Sequence, residues 1–249
     1  MVQLGGNLKL KVVIIVVFII GVLLAYSIYA INSMDSDRAS KAISKHKPIL
    51  AEQLEQYGLN LGDPVFIRIF KQSAELEVFV QRQNDHTFQL FRTYRICDFS
   101  GALGPKIKEG DHQSPEGFYY VKANQLNPLS SYHLSFNLGF PNKYDRYHGR
   151  TGSFLMVHGN CVSIGCYAMT DDKIEEIYTL VHSALAGGQA FFRVHAFPFR
   201  MTDENMAKYT QNKWHDYWLN LKQGYDFFES HQVPPDVNVK SGIYVFSID

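Results

Sequence analysis

The stretch SFLMVHGNCVSIGCYAMTDD, residues 153–172, contains the densest group of chemically reactive side chains in the sequence. Residues 153–157 predict a short apolar strand. The strand leads into a glycine-containing loop with four candidate functional residues: His158, Cys161, Ser163 and Cys166. Thr170 predicts the start of a helix, because threonine is a good N-cap and the two following aspartates favour the positive end of the helix dipole. The reactive loop is therefore expected between a strand and a helix.

Further strands are predicted on both sides of this stretch. Upstream, alternating apolar residues predict a β-meander with strands at 65–70, 76–80 and 88–96. Downstream, residues 191–197 predict one more strand. Residues 97–152 are rich in Gly, Pro, Asn and Asp, which indicates long surface loops over a β scaffold. The expected fold class is a mixed β core with flanking helices (α+β).

Composition excludes several classes of protein. The 249 residues contain 24 Lys and Arg against 24 Asp and Glu, so no overall charge favours nucleic-acid binding. A hydrophobic content of 46% is too high for a disordered chain. Three cysteines are too few for a disulfide scaffold. We therefore expect a folded protein with no nucleic-acid partner.

The N-terminal region predicts a membrane anchor. Residues 12–31 form an uncharged run of 20 residues, which as a helix matches the ~30 Å hydrocarbon thickness of a bilayer. Lys9 and Lys11 precede the run and Asp35 follows it, which predicts a cytoplasmic N-terminus and an inner-membrane anchor. The alternative is a signal peptide that is cleaved near Ala30.

Cys166 and His158 are the candidate catalytic residues. A thiol is a strong nucleophile only as a thiolate, and a nearby imidazole can accept its proton. Gly165 precedes the cysteine and removes side-chain bulk where a substrate backbone would approach. Backbone amides near Cys166 are then candidates for stabilising a developing oxyanion.

Three other interpretations of these residues remain open. In the first, Cys166 is an inert buried cysteine. In the second, Cys161 and Cys166 form a disulfide. In the third, His158 and both cysteines bind zinc, although the spacing H-x2-C-x4-C matches no common zinc pattern. Cys97 and Cys161 have no assigned role, and their pairing would require a Cα separation of ~4.4–6.8 Å.

The sequence resembles the L,D-transpeptidase catalytic domain of the YkuD type, in its YafK-like branch. The signature is His-Gly on a strand followed by Ser-x-Gly-Cys before a helix, with Pro-x-Gly-x-Phe/Tyr upstream, here at residues 115–119. Three stretches carry the resemblance: GALGPKIKEGDHQSPEGFYYV (101–121), SYHLSFNLGFPNKYDRYHGRTGSFLMVHGNCVSIGCYAMTDD (131–172) and FFRVHAFPFRM (191–201). The resemblance implies a YkuD-like β-sandwich or barrel, here preceded by one transmembrane helix and followed by a helical extension.

Four regions are expected along the chain. They are an N-terminal signal anchor (1–31), a polar stalk with a short helix (32–61), the catalytic domain (62–201) and a C-terminal helical extension (202–249). The extension is predicted because apolar and aromatic residues recur three or four positions apart after Thr202, which indicates a helix packed on the β domain.

The resemblance implies a role for each matching residue. Cys166 corresponds to the nucleophile and His158 to its base, with Ser163 and Gly165 as supporting positions. The implied reaction uses no cofactor or metal: it is acyl transfer on peptidoglycan stem peptides, through a thioester at a diaminopimelate carbonyl. An amine acceptor gives a crosslink or a tethered protein. Water gives hydrolysis, which in this branch includes release of an outer-membrane lipoprotein. A catalytically silent wall-binding module is the alternative.

Two positions depart from the wider family. Ile164 and Ala168 stand where many members have a histidine and a carboxylate-binding arginine. Candidate substrate-binding residues are therefore taken from elsewhere in the domain: Arg150, Arg146, His133 and Tyr167. The alternative for each arginine is a solvated loop residue, and for the histidine a hydrogen-bonded structural role. The domain is expected in the periplasm.

Overall fold

The computed structural model describes the backbone of residues 6–248 and the side chains of residues 12–22 and 37–248. The helices are α1 (Gly6–Glu55), α2 (Lys143–Tyr147), α3 (Asp171–Ala186), α4 (Asp203–Ala207) and α5 (His215–His231), with a 3₁₀ turn at Ala123–Gln125. The strands are β1 (Val65–Phe70), β2 (Glu75–Gln81), β3 (Phe88–Arg95), β4 (Asp98–Phe99), β5 (Gly117–Val121), β6 (Leu126–Asn127), β7 (Ser135–Asn137), β8 (Met156–His158), β9 (Tyr167–Ala168), β10 (Phe192–Phe197), β11 (Asp236–Lys240) and β12 (Ile243–Ser247).

Most of the strands belong to two five-stranded sheets. The first sheet has the order β3-β2-β1-β10-β5, and only β1 and β10 in it are parallel neighbours. The second has the order β4-β9-β8-β7-β6, with β8 and β9 parallel. β11 and β12 form a separate hairpin. The prediction of a mixed β core with flanking helices is confirmed.

The first sheet is the middle layer of the domain, as the burial of β1 shows. All six of its residues are buried. Because side chains alternate along a strand, Val65, Ile67 and Ile69 face one core, whereas Phe66 and Phe70 face the opposite side. The first core is shared with α1, α3 and the second sheet, and aromatic residues of α5 cover the opposite side. The second sheet, which carries the reactive loop, therefore rests on a rigid layer.

The predicted transmembrane helix over residues 12–31 is wrong. Within the part of the chain that the structure describes, no helix has the length and apolar character that a bilayer crossing needs. The apolar side chains described at residues 12–22 are exposed. The side chains of the remaining part of that run, and the cleavage predicted near Ala30, lie outside the described residues.

Residues 37–55, expected to be a stalk that turns into a short helix, are the last part of α1 and pack on α3. Polar contacts join the two helices, since Glu175 on α3 accepts from Lys45 at 2.9 Å and from His46 at 3.0 Å. Burial alone would raise the pKa of Glu175, but the hydrogen bonds of Lys45, His133 and His46 lower it to about 2. This segment is therefore part of the folded domain.

The sequence predicts a helical C-terminal extension, and this prediction is incomplete. The extension ends in the β11–β12 hairpin. Ser241 and Gly242 form its two-residue turn with φ values of 48° and 78°, and a type I′ turn requires positive φ at both positions. The Asn220 side chain on α5 binds both backbone groups of Tyr244 at 2.9 Å. The hairpin is thereby fastened to the helix that covers the first sheet.

A buried ion pair joins the first sheet to the loop before β5. Lys71 and Glu116 are both inaccessible to solvent, and Lys71 Nζ lies 3.1 Å from Glu116 Oε1. Lys71 also donates at 2.8–3.1 Å to three loop carbonyl groups, those of Ala102, Gly104 and Ser114. Trp218 Nε1 on α5 donates to Glu116 Oε2 at 2.9 Å. Burial lowers the pKa of Lys71, and the Glu116 carboxylate opposes that shift.

We predict that Glu116→Gln lowers the free energy of unfolding by about 3–5 kcal/mol, because it leaves the Lys71 charge buried without its counter-ion. Urea denaturation measures the change. Glu204→Gln is the matched control, since it removes an exposed carboxylate that pairs with Lys208 and should cost less than about 1 kcal/mol. Equal losses in the two variants would contradict a special role for the buried pair.

His195 on β10 is a second buried polar group, and no hydrogen bond offsets the cost of its burial. Neither ring nitrogen has a hydrogen-bond partner within the described structure. The ring lies 4.6 Å from that of Phe66 and 4.7 Å from that of Phe118. Burial, with the charges of Arg193 and Arg68, lowers the pKa of His195 well below its ordinary value. The fold therefore stabilises the neutral ring.

We predict that His195→Phe is more stable than the native chain, and that the difference grows in acid. At pH 8 the gain should be about 1–3 kcal/mol, because an unsatisfied buried polar group is removed. In the unfolded native chain the His195 imidazole has its ordinary pKa of ~6.5 and gains a proton below that pH, whereas in the folded chain it stays neutral. The difference in the free energy of unfolding between the two chains should therefore widen by up to about 1.4 kcal/mol per pH unit. Unfolding curves from pH 8 to pH 5 test this, and a gap independent of pH would refute it.

Candidate active site

The loop between β8 and β9 places Cys166 beside the strand that carries His158. The two strands are parallel, with His158 opposite Ala168. Extending this register puts Cys166 opposite Met156, whose amide nitrogen lies 3.4 Å from Cys166 Sγ. Residues two apart on a strand share a face, so His158 and Cys166 project from the same face as diagonal neighbours. The structure thus brings the two candidate catalytic residues together.

The Cys166 side chain is a neutral thiol held between two backbone groups. Its sulfur accepts from the Met156 amide at 3.4 Å and donates to the Phe154 carbonyl at 3.6 Å. Burial raises the pKa of the thiol, and the Met156 hydrogen bond and the charge of Lys106 oppose that shift only in part. Cys166 is half-buried and forms no disulfide. A resting thiolate is therefore disfavoured.

His158 is buried and neutral at pH 7. Burial lowers its pKa, while the hydrogen bond to Gly159 and the charge of Asp98 oppose that shift only in part. Nδ1 lies 2.5 Å from the Gly159 carbonyl oxygen, which assigns the proton to Nδ1 and leaves Nε2 as an acceptor. The ring packs 4.7 Å from that of Tyr132. No hydrogen bond joins the described side chains of His158 and Cys166.

Hydroxyl groups fix the backbone on either side of the thiol. Ser163 Oγ and Ser114 Oγ donate to the Cys166 carbonyl at 2.8 and 3.0 Å. Ser163 Oγ also accepts from the Gly165 amide at 3.1 Å and lies 2.8 Å from Ser100 Oγ. Gly165 has a φ of 148°, which residues with a Cβ rarely adopt. The carbonyl is thereby turned into the domain, and the position of the thiol is fixed.

A disulfide between Cys97 and Cys161 ties the reactive loop to the strand next to it. The Cα atoms are 5.4 Å apart, and Cys97 immediately precedes β4, the neighbour of β9. The alternative disulfide between Cys161 and Cys166 does not form. The set of His158, Cys161 and Cys166 is not available for zinc, and no group of three or more metal-binding side chains occurs in the described part of the chain.

The two candidate arginines have different environments. Arg150 is buried, with Nη1 2.8 Å from Asp145 Oδ1 and its guanidinium 5.0 and 4.9 Å from the rings of Tyr144 and Tyr217. The guanidinium of Arg150 is therefore engaged by groups inside the protein. Arg146 is exposed and donates to the carbonyl of Pro141, with no carboxylate partner in the described structure. Only Arg146 presents its charge to solvent.

The other two substrate-binding candidates also make internal contacts. His133 Nε2 lies 2.8 Å from Glu175 Oε1, which places it in the polar cluster between α1 and α3. Tyr167 is fully buried and donates to the Pro115 carbonyl at 2.6 Å, and burial raises its pKa well above the ordinary value. These internal contacts indicate structural roles for His133 and Tyr167.

Four residues near the thiol were not found from the sequence: Ser100, Ser114, Lys106 and Tyr132. Ser114 directly precedes the Pro-x-Gly-x-Phe/Tyr element, which is the one sequence signal that could have identified it. Lys106 is almost fully buried, and its Nζ lies 2.5 Å from Asp111 Oδ1. The charge of this loop lysine lowers the pKa of Cys166, against the larger effect of burial. No local pattern around Ser100 or Tyr132 indicates their proximity to the site.

The sequence is similar to a known protein family and to individual proteins. A family model, the L,D-transpeptidase catalytic domain (YkuD), matches residues 71–187. The chain is 48% identical over 204 residues to YafK of Escherichia coli strain K12, a protein whose name assigns it to the L,D-transpeptidases. The matched residues cover 82% of this chain and 81% of that protein. YafK of Escherichia coli O157:H7 matches equally.

Solved structures show a weaker likeness. The helical cell shape determining protein Pgp2 from Campylobacter jejuni has a TM-score of 0.43 at 16% identity, covering 76% of this chain and 79% of that chain. A mutant of Pgp2 gives a TM-score of 0.44 at 17% identity, covering 77% of this chain. This chain spans 63% of that mutant chain, less than two thirds. Structural similarity at this level does not assign a role to any residue.

We predict that the alkylation of Cys166 by iodoacetamide has a pH midpoint above that of a solvated thiol, because burial raises the pKa of the Cys166 thiol. Intact-mass measurement of the rate from pH 5 to pH 11 gives the midpoint, with glutathione as the solvated control thiol. His158→Gln should leave the midpoint nearly unchanged, since the imidazole is neutral at rest. A midpoint near pH 6 that His158→Gln abolishes would show a preformed thiolate–imidazolium pair and contradict this account.

Proposed function

The chain belongs to the L,D-transpeptidase family, and on that premise we propose that it is a cysteine acyl-transfer enzyme acting on peptidoglycan stem peptides. The observation that carries this proposal is the free thiol of Cys166 on the same sheet face as His158, whose Nε2 is unprotonated. A nucleophile and a base on adjacent rigid strands are what acyl transfer requires.

The first half-reaction forms a thioester. His158 Nε2 takes the proton of Cys166 Sγ as the sulfur attacks the carbonyl carbon at the L-centre of a diaminopimelate residue. The bond from that carbon to the departing amine breaks, and the amine leaves with the proton from His158. The hydrogen bonds of Ser163 and Ser114 to the Cys166 carbonyl hold the backbone that carries the sulfur in place during the attack.

The second half-reaction regenerates the thiol. An amine acceptor gives its proton to His158 and attacks the thioester carbon, which forms a new amide. The bond from carbon to sulfur breaks, and the sulfur regains the proton. Because both groups are neutral at rest, proton transfer accompanies each attack and no ion pair precedes it.

The disulfide supports a location outside the cytoplasm. Structural disulfides persist in oxidising compartments and are rare where thiol reductants are abundant. The Cys97–Cys161 bond closes the loop that carries the nucleophile, so its loss would affect the site directly. We propose the periplasm, the compartment in which peptidoglycan is reached.

A second candidate function is hydrolysis that releases a protein attached to peptidoglycan. Three apolar side chains in the segments next to the thiol are exposed: Phe154 and Ile164 at 73% and Val162 at 52%. An exposed apolar patch of this kind favours contact with a protein surface over contact with a polar glycan. Water then replaces the amine as acceptor of the same thioester.

We predict that Cys166→Ala abolishes turnover on purified sacculi, because no other thiol replaces the nucleophile, while the melting temperature stays within a few degrees of the native value. Mass spectrometry of muropeptides shows whether crosslinks form or attached protein is released. Ser153→Ala, an exposed change in the preceding loop, is the control that should remain active.

Intact-mass analysis of the native chain during turnover should show an acyl adduct on Cys166. Product formation by Cys166→Ala at the native rate would exclude the thioester mechanism. A native chain that binds sacculi but forms neither product nor adduct would instead be a wall-binding module.

A further inference from the structure

The loop of residues 130–134 connects α1 to the strand that ends in His158. Its backbone is joined to the residue after that strand, because the Gly159 amide donates to the Leu134 carbonyl at 3.0 Å. The approach is close, since a Cβ on Gly159 would lie 2.8 Å from the Tyr132 carbonyl oxygen. Gly159 also supplies the carbonyl oxygen that binds His158 Nδ1. The 130–134 loop is therefore packed against the residue that orients the imidazole.

Tyr132 of this loop covers the imidazole of His158. The two rings are 4.7 Å apart and 37° from parallel. Rings at this separation are in contact, so Tyr132 contributes to the burial that lowers the pKa of His158. The Tyr132 amide donates to Ser130 Oγ at 3.1 Å, whereas the Tyr132 hydroxyl binds nothing in the described part of the chain. The contact with His158 is therefore made by the ring alone.

Two helices hold the other side of the loop. Arg38 of α1 donates from Nη1 to the carbonyls of Ser130 at 3.1 Å and His133 at 2.8 Å, one on each side of Tyr132. His133 has a φ of 68°, which is unfavourable for a residue with a Cβ. Its ring lies 2.8 Å from the carboxylate of Glu175 on α3. Contacts from α1 and α3 thus maintain a backbone conformation that is unfavourable by itself.

We propose that Tyr132 is a positioning residue for the base of the reaction, and that α1 keeps it in place by binding the 130–134 loop through Arg38. The inference rests on the proposed function for the role of His158. Loss of the α1 contact frees the loop, removes the Tyr132 ring from the imidazole and admits water to it. Activity thereby depends on α1, which lies outside the residues that match the family model.

The charged and titratable groups around His158 stay constant in the test. Asp98 on β4 opposes the effect of burial on the His158 pKa. Asp171, at the start of α3, accepts from the backbone amide two residues after His158 at 2.7 Å. Cys166, beside β8, is a neutral thiol. Because the variants below change none of these three groups, a change in the His158 titration reports its contact with Tyr132.

NMR titration of the His158 imidazole tests the proposal without substrate, and the spectrum of His158→Gln assigns the resonance. Tyr132→Ala should raise the His158 pKa toward its ordinary value of ~6.5, because water reaches the ring. Tyr132→Phe should keep the native pKa, since the hydroxyl binds nothing. A merely structural role for Tyr132 would lower the melting temperature of Tyr132→Ala without moving the His158 pKa.

Turnover on purified sacculi is measured with the same variants. Tyr132→Ala should lower the rate by about tenfold to a hundredfold, because part of the ~10²–10⁴-fold contribution of a positioned base is lost. Tyr132→Phe should restore the native rate. Arg38→Gln should shift the His158 pKa in the same direction as Tyr132→Ala. Lys41→Gln is the matched control for it, since Lys41 is an exposed cation one turn further along α1 that pairs with Asp37.

Three outcomes would overturn the proposal: an unchanged His158 pKa in Tyr132→Ala, equal losses in Tyr132→Ala and Tyr132→Phe, or equal effects of Arg38→Gln and Lys41→Gln. If Tyr132→Ala does not fold, the comparison of Arg38→Gln with Lys41→Gln decides. A native chain that gives no product from sacculi, while Tyr132→Ala still moves the His158 pKa, refutes the proposed function alone.

Discussion

The buried ion pair of Lys71 and Glu116 is the contact on which the arrangement of the domain depends. Two charges removed from water are tolerated only when their remaining donors and acceptors are also satisfied. The loop before β5 must therefore present its carbonyls to Lys71, and α5 must present the Trp218 indole N–H to Glu116. One pair thus fixes a strand end, a long loop and the helix that covers the first sheet.

The same ion pair is linked to Cys166, the candidate nucleophile, through one residue. The Ser114 carbonyl accepts from Lys71, and its hydroxyl donates to the Cys166 carbonyl. From the other side, the Cys97–Cys161 disulfide holds the loop that contains Ser163. The thiol itself gains no charge from these contacts, because burial raises its pKa. The fold therefore fixes the position of the Cys166 thiol but does not favour its ionisation.

Much of the fold was predictable because burial follows the spacing of apolar residues. The alternation in β1 and the apolar stripe of α3 each identify their own element. Two predictions failed where local pattern was insufficient. The uncharged run from residue 12 indicated a membrane span that the described helices do not show. The helical spacing after Thr202 does not reveal the β11–β12 hairpin, although the Ser241-Gly242 turn between alternating apolar residues indicates it.

The family, the candidate cysteine and histidine, and the glycine before the cysteine can all be read from the sequence, because residue types at fixed short spacings identify them. The tertiary structure alone decided which cysteine pairs with Cys97, and that Arg150 is engaged inside the protein while Arg146 faces solvent. It also decided the neutral states of Cys166 and His158. The physical reason is that partners and protonation depend on burial and on contacts between residues distant in the chain, which no local pattern encodes.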